Sequence, residues 1–310
     1  MYVTVTANPS VDRTIEIQDL VRGGLHRATA VHVQPGGKGI NVARALVCNG
    51  IKARAVVPAG GPEGEQLINL LSDYSIEVVR VPVLGVRMNV SVIEPDATVT
   101  KLNEPGTRLS AEETRALADA VITASRDASW VVVAGSLPPG VDPGFYAELI
   151  KLLDVQVAVD TSGPALKAAV KAGPALVKPN HHELEEAVDR PLSTFRDVVD
   201  AARELRADGA GAVLASLGSD GAVLVSADGV WHAEAPVVRA RSTVGAGDAT
   251  LAGFLAGGGQ GVEALVAGVS WGAAAVSLPG STMPRPHDLR PELVRVREGI
   301  DGGRAVSGDH

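Results

Sequence analysis

The chain has 310 residues, 45% hydrophobic, 21% charged and 3% aromatic, enough to bury one large α/β core with embellishments or two smaller cores. Its 28 Lys and Arg against 36 Asp and Glu leave a formal charge of -8, which argues against a general nucleic-acid binder but permits a local basic pocket for a small anion. Cys48 is the only cysteine, so an intramolecular disulfide and a cysteine-built zinc site are excluded.

Residues 1–6 carry no basic stretch leading into an apolar one, and no run approaches the roughly 18 apolar residues of a membrane span. The expected setting is the cytoplasm, with no membrane partner. Residues 14–17, 28–34, 89–94 and 99–102 alternate in the manner of a half-exposed sheet, with Ile15, Ile17, Val31, Val33, Val90 and Val92 on one apolar face. They interrupt an α/β pattern and read as a lid built from segments about 12–36 and 86–104, its apolar face requiring a partner. From about 110 to 278, apolar runs at 130–134, 155–159 and 212–215 alternate with helical stretches at 145–153 and 164–172. Strands apolar at nearly every position are buried on both faces, which predicts a mostly parallel sheet with crossover helices. Residues 1–300 read as a single domain, and 301–310, polar and glycine-rich, as a disordered tail.

Four motifs carry the chemistry, three of them glycine-containing. The first, Pro35-Gly36-Gly37-Lys38-Gly39-Ile40-Asn41, leads into a helix and reads either as a cradle for an anion or polyol or as a plain strand-to-helix turn. It is neither a P-loop nor a complete dinucleotide fingerprint. In the second, Lys178-Pro179-Asn180-His181-His182-Glu183, Asn180 and Glu183 have the spacing of a reciprocal helix cap. The same oxygens suit the surroundings of hydrated magnesium beside nucleotide phosphates. The third, Ser216-Leu217-Gly218-Ser219-Asp220-Gly221, reads as a nucleotide-wrapping loop at a strand end or as a hairpin turn. In the fourth, Thr243-Val244-Gly245-Ala246-Gly247-Asp248, glycines at a helix start leave N–H groups bare for an anion. Asp248 beside such a hole is either a proton acceptor or a helix cap.

Taken in order with Asn8-Pro9-Ser10-Val11-Asp12 and Gly135-Ser136-Leu137-Pro138-Pro139-Gly140, these motifs resemble the ribokinase-like carbohydrate kinases of the phosphofructokinase B branch, from about residue 2 to 278. The resemblance implies a three-layer α/β/α core with a mostly parallel central sheet and a small β-sheet lid, ATP and Mg²⁺ as cofactors, and a homodimer joined through the lid. It casts Asp248 as catalytic base with Gly245, Ala246 and Gly247 as the anion hole. Asp12, Gly36, Gly37, Lys38 and Asn41 fall on sugar-binding positions. Lys178, Ser216, Gly218 and Gly221 fall on the nucleotide side, and Asn180 and Glu183 near magnesium. Arg87-Met88-Asn89-Val90 and Leu102-Asn103-Glu104-Pro105-Gly106 resemble the 1-phosphofructokinases. That adds Arg87 and Asn103 to the substrate side and makes fructose 1-phosphate the expected phosphorylated ketohexose, with Lys38 and Arg87 gripping its phosphate. Tagatose-6-phosphate kinase and 6-phosphofructokinase are the alternatives within the branch. Outside it, a non-catalytic sugar-phosphate sensor would keep the fold and lose the turnover.

Overall fold

The apolar runs become strands of one ten-stranded sheet in the computed structural model, which describes residues 1–96, 98–237 and 240–307. In chain order the elements begin with β1 (Tyr2–Thr6), β2 (Ser10–Glu16), β3 (Ala30–Gly36), α1 (Lys38–Cys48), β4 (Ala53–Ala59), α2 (Gly61–Leu71), β5 (Glu77–Pro82), β6 (Arg87–Ile93) and β7 (Val99–Asn103). Next come α3 (Ala111–Ala124), β8 (Trp130–Ala134), α4 (Phe145–Leu152), β9 (Gln156–Asp160), α5 (Gly163–Lys171), β10 (Leu176–Val177), α6 (His181–Val188), α7 (Phe195–Ala207) and β11 (Ala212–Ser216). The rest are β12 (Ala222–Val225), β13 (Val230–Glu234), α8 (Ala246–Ala256), α9 (Gly261–Val276) and β14 (Arg295–Glu298).

The large sheet runs β14-β13-β12-β11-β10-β9-β8-β1-β4-β5, parallel from β5 to β11 and antiparallel beyond. Alternate residues of its strands feed two cores. Val131, Val133, Val157 and Val159 pack with Leu117, Tyr146, Leu149, Leu166 and Val198 on one face. Val57, Val132 and Leu214 pack with Ile40, Leu46, Leu67, Phe254 and Leu265 on the other. Helices on both faces make three layers, as a sheet of doubly buried strands requires. The parallel strands all deliver their following loops to one edge, where clefts form in such sheets.

The expected lid is a separate four-stranded sheet in the order β3-β2-β6-β7. Its register places Ile15 opposite both Val31 and Val92, and Arg13 opposite Val33 and Val90. Val90 in turn faces Leu102, so Ile15, Val31, Val33, Val90 and Val92 share one face, with Arg13 among them, while Ile17 lies just beyond β2. The other face is polar: Asp12 lies opposite Gln34 and Asn89, and Asn89 opposite Asn103. Val31 and Leu102 on the apolar face are exposed, as are Leu20, Val21 and Leu25 in the β2–β3 connection. Among the described residues, no helix is long and apolar enough to cross a membrane.

The end of the chain departs from expectation. Residues 301–307 are tied down rather than loose, because they supply acceptors and donors to the start of α7. Phe195 N–H donates to Arg304 O and Val306 N–H to Ser193 O, each at 3.0 Å. The Arg304 guanidinium sits over the Phe195 ring, 2.8 Å from Asp220 and 3.1 Å from Glu234. Residues 308–310, the rest of the expected tail, lie outside the described residues. Replacing Arg304 with Ala should lower the unfolding free energy by about 1–2 kcal/mol through loss of the charged hydrogen bonds and the stacking. Urea denaturation of Arg304→Ala beside the parent checks this, and an unchanged midpoint would mean the strap adds no stability.

Candidate active site

Five charged side chains from different elements meet at the carboxyl edge of the parallel strands. Asp160 ends β9 and is fully buried; Lys178 follows β10; Lys38 opens α1; Glu183 lies in the first turn of α6; Asp248 lies in the first turn of α8. Lys38 Nζ is 2.6 Å from Asp160 Oδ1 and 2.7 Å from Glu183 Oε1, while Lys178 Nζ is 3.0 Å from Asp160 Oδ2. Burial opposes ionisation of Asp160, but Lys178 and Lys38 outweigh it and hold its carboxyl below the usual range. Burial likewise opposes the charge on Lys38, and Asp160, Glu183 and Asp248 together hold its ammonium above the ordinary lysine value.

Asp248 goes the other way. Burial, then the neighbouring Asp160 carboxylate, push it up to about 6 against the pull of Lys38, Asn41 and Lys178. Its Oδ2 accepts from Asn41 Nδ2 at 2.9 Å. The cap reading does not hold here. The N-cap of α8 is Gly245, in the left-handed region at φ 79°, and no side chain caps the helix. The first-turn amides of Gly247 and Asp248 thus lack an acceptor within their own helix. A Cβ at Gly247 would lie 3.4 Å from Lys178 Nζ, so a bare helix start and an ammonium converge beside Asp248. That is the setting for an anion next to a proton acceptor.

The glycine turn before α1 is sterically enforced. A Cβ at Gly36 would lie 2.3 Å from the Asp12 carboxylate, and Gly37 adopts φ 116° against Thr6. This brings Asp12 to the base of the lid, where its Oδ1 accepts from Ser10 Oγ at 2.6 Å and Asn89 Nδ2 at 3.0 Å. Arg87, half-buried on the same polar face, donates to Glu104 O at 3.0 Å and Asn8 O at 3.2 Å. Among the described residues, its Nε is buried without a partner. Asn103 stands across from Asn89.

Two further pairs of expected site residues have distinct partners. Lys38 and Arg87 share no partner among the described residues: the first is held by Asp160 and Glu183, the second by the carbonyls of Glu104 and Asn8. Asn180 and Glu183 make the reciprocal cap, with Glu183 N–H donating to Asn180 Oδ1 at 2.7 Å and Asn180 N–H to Glu183 Oε2 at 2.9 Å. The described residues contain no group of three or more His, Cys, Asp or Glu side chains able to hold a metal directly. A carboxylate has about four lone-pair positions, so Glu183 can still accept from water. The donor set therefore fits a hydrated divalent ion carried on phosphates, not a protein cage.

Among the residues expected at a nucleotide, Ser216 forms a parallel bridge with Asn180, which brings the end of β11 to the cluster. Residues 217–221 connect β11 to β12 as a hairpin with Gly218 at φ 56° and Gly221 at φ 80°. A Cβ at Gly221 would lie 2.1 Å from Ala233 O. Sequence reasoning missed Asp160 and Arg44. An aspartate closing the buried run Val157-Ala158-Val159 is the signal that would have found Asp160, since ligands gather outside such strand ends.

A carboxyl whose pKa is raised in the folded state costs stability at pH above that value, and the cost fades as pH falls below it. Asp248→Asn should therefore stabilise the protein near pH 8 by about 1–3 kcal/mol. The difference from the parent should shrink toward pH 5. Thermal unfolding at the two pH values tests this; a destabilised variant would restore a structural role for the carboxylate.

Against known proteins, a family model described as "pfkB family carbohydrate kinase" matches residues 5–288. The 1-phosphofructokinase of Bacillus subtilis (strain 168) is 36% identical, covering 96% of this chain and 100% of that one. The ATP-dependent 6-phosphofructokinase isozyme 2 of Escherichia coli (strain K12) is 37% identical, covering 90% and 94%. The solved structure of phosphofructokinase-2 from Escherichia coli superposes with a TM-score of 0.86 at 36% identity, covering 92% of this chain and 96% of that one.

Proposed function

The chain belongs to the pfkB family of carbohydrate kinases, and from that premise we propose that it transfers the γ-phosphoryl group of ATP to the C6 hydroxyl of fructose 1-phosphate. The observation that carries the reading is Asp248, a buried carboxylate with a raised pKa at the bare start of α8. The C6 oxygen attacks the γ-phosphorus as its proton passes to Asp248, and the bond to the β-phosphate oxygen breaks to release ADP. The amides of the Gly245-Ala246-Gly247 turn and Lys178 hold charge on the transferring group, which a loose transition state spreads over its oxygens. Lys38, braced by Asp160 and Glu183, adds a fixed positive charge beside the base. Ser216, Gly218 and Gly221 line the nucleotide side. Asn180 and Glu183 are the residues that would hold magnesium carried in with ATP, which would neutralise phosphate charge.

Asp12, Gly36, Gly37, Asn41 and Asn103 hold the sugar, and Arg87 its existing phosphate. The unpartnered Nε of Arg87 supports this role, because a buried donor without an acceptor is costly until an anion takes it. The likeness to a 6-phosphofructokinase keeps fructose 6-phosphate as the second substrate reading. A panel of fructose 1-phosphate, fructose 6-phosphate and tagatose 6-phosphate, followed by ADP release, decides between them. The first should give the highest kcat/KM, and release with none of the three would leave a sensor.

The two cations should separate kinetically. Arg87→Ala should cost about 1.5–3 kcal/mol in kcat/KM for the phosphorylated sugar, the worth of a charged hydrogen bond, with KM for ATP unchanged. Lys38→Ala should act mainly on kcat. An effect within twofold on both parameters for both variants would remove these assignments. We also propose a homodimer joined through the apolar lid face, since Val31 and Leu102 would otherwise remain in water. Light scattering at micromolar concentration should give twice the chain mass, and Val90→Asp should halve it. A parent that is monomeric and fully active would overturn the dimer.

A further inference from the structure

Arg44 is 1% exposed on α1, and none of the described carboxylates lies within ion-pair reach of it. Burying an unpaired cation is expensive, so its retention calls for a use. Its partners are all neutral. Nη1 donates to Asn41 Oδ1 at 3.0 Å, Ser281 Oγ at 3.2 Å and Pro35 O at 3.4 Å, and Nη2 to Tyr74 Oη at 2.9 Å. Ser281 Oγ in turn donates to Gln34 Oε1 at 3.0 Å, and Gln34 stands opposite Asp12 on the polar face of the lid.

We propose that Arg44 is a positioning residue that locks the Asn41 amide in one orientation and so joins the seating of the lid to the proton acceptor Asp248. This rests on the reading of Asp248 as the base. A guanidinium has donors only, so the Asn41 atom facing it must be the carbonyl oxygen. The amide nitrogen is thereby turned to Asp248 Oδ2 and cannot flip when that carboxyl titrates. Oδ2 stays an acceptor, and Oδ1 is the oxygen that receives the substrate proton. Residues 41 and 44 are one turn apart, so a single helix face carries the whole relay. Its far end reaches the lid twice, at Pro35 O directly and at Gln34 through Ser281. Displacement of β3 moves the acceptors that hold Arg44.

The test is the acidic limb of the kcat/KM profile for the sugar substrate. The charged groups facing Asp248 are Asp160 from β9, Lys38 from α1 and Lys178 beyond β10; Arg44 is faced by Tyr74 and, one turn on, by Cys48. Arg44→Met keeps the volume and removes the donors. It should lower kcat about tenfold and move the limb upward by about one pH unit, because Asp248 loses an ordered donor. Asn41→Ala should move the limb equally, and the double variant no further, since both act through one hydrogen bond. A purely structural Arg44 would lower stability and leave the limb in place, and that result would overturn the proposal. Should Arg44→Met fail to fold, Arg44→Lys decides. One ammonium cannot hold Asn41 and Tyr74 together, so the limb should rise by about half a unit; parental kcat and limb in the lysine variant would overturn the proposal. Asp248→Asn separates the premises. Retained turnover there sinks the base, whereas loss of turnover with an unmoved limb in Arg44→Met sinks only the relay.

Discussion

Everything at the cleft depends on the ion pairs that Asp160 makes with two lysines. Charges removed from water must be matched, and here three carboxylates are set against two ammonium groups. Asp160 and Glu183 are satisfied by Lys38 and Lys178, which leaves Asp248 as the carboxylate without a cation of its own. Its basicity is thus raised first by burial and then by the carboxylate that ends β9. The same pairs join α1, β9, α6 and the end of β10, so the positions of four elements are read out at one carboxyl. A substitution that loosened any of them would change the proton affinity of Asp248, the proposed base.

Much of this architecture was legible in the chain itself. The doubly apolar runs announced the parallel sheet, and the alternation of Ile15, Val31, Val90 and Val92 announced the lid, because both patterns follow directly from the two-residue period of a strand. The motif residues at the cleft were also legible, since glycine is needed where Asp12 approaches Gly36 and where Gly245 turns left-handed. Partnership was not. Nothing in Gly37-Lys38-Gly39 says that the ammonium reaches a carboxylate 122 residues away, or that Glu183 will both cap α6 and receive Lys38. Arg44, flanked by alanines on an apolar helix, was hidden for the same reason: its partners are a serine 237 residues away, a tyrosine and a loop carbonyl. The anchored end of the chain shows the reverse error. Composition reported polarity and glycine correctly, but one arginine with an aromatic ring and two carboxylates outweighs them.

The lid works because a strand has two faces. One residue of slip of β6 against β2 would bring Val90 opposite Asp12 in place of Asn89, turning an apolar side chain toward the cleft. Register is held by the close packing of Asp12 against Gly36 and by the hydrogen bonds among Ser10, Asp12 and Asn89. The residues proposed to bind sugar therefore also align the sheet that carries them, and specificity and lid geometry are not independent variables in this protein.

The parallel pairing of β2 with β6 has a consequence for how the molecule is made. Ser10 pairs with Arg87, and between them the chain must first lay down α1, β4, α2 and β5, all of which belong to the core. Such non-local contacts form slowly, after the entropy of closing the intervening loop has been met. The lid accordingly cannot close until the chain has reached β6. Until β6 arrives, the β2–β3 hairpin exposes Ile15, Val31 and Val33 on a two-stranded ribbon with an unpaired edge, a form prone to associate with other copies. Association of chains during recovery from denaturant should then start from this open ribbon.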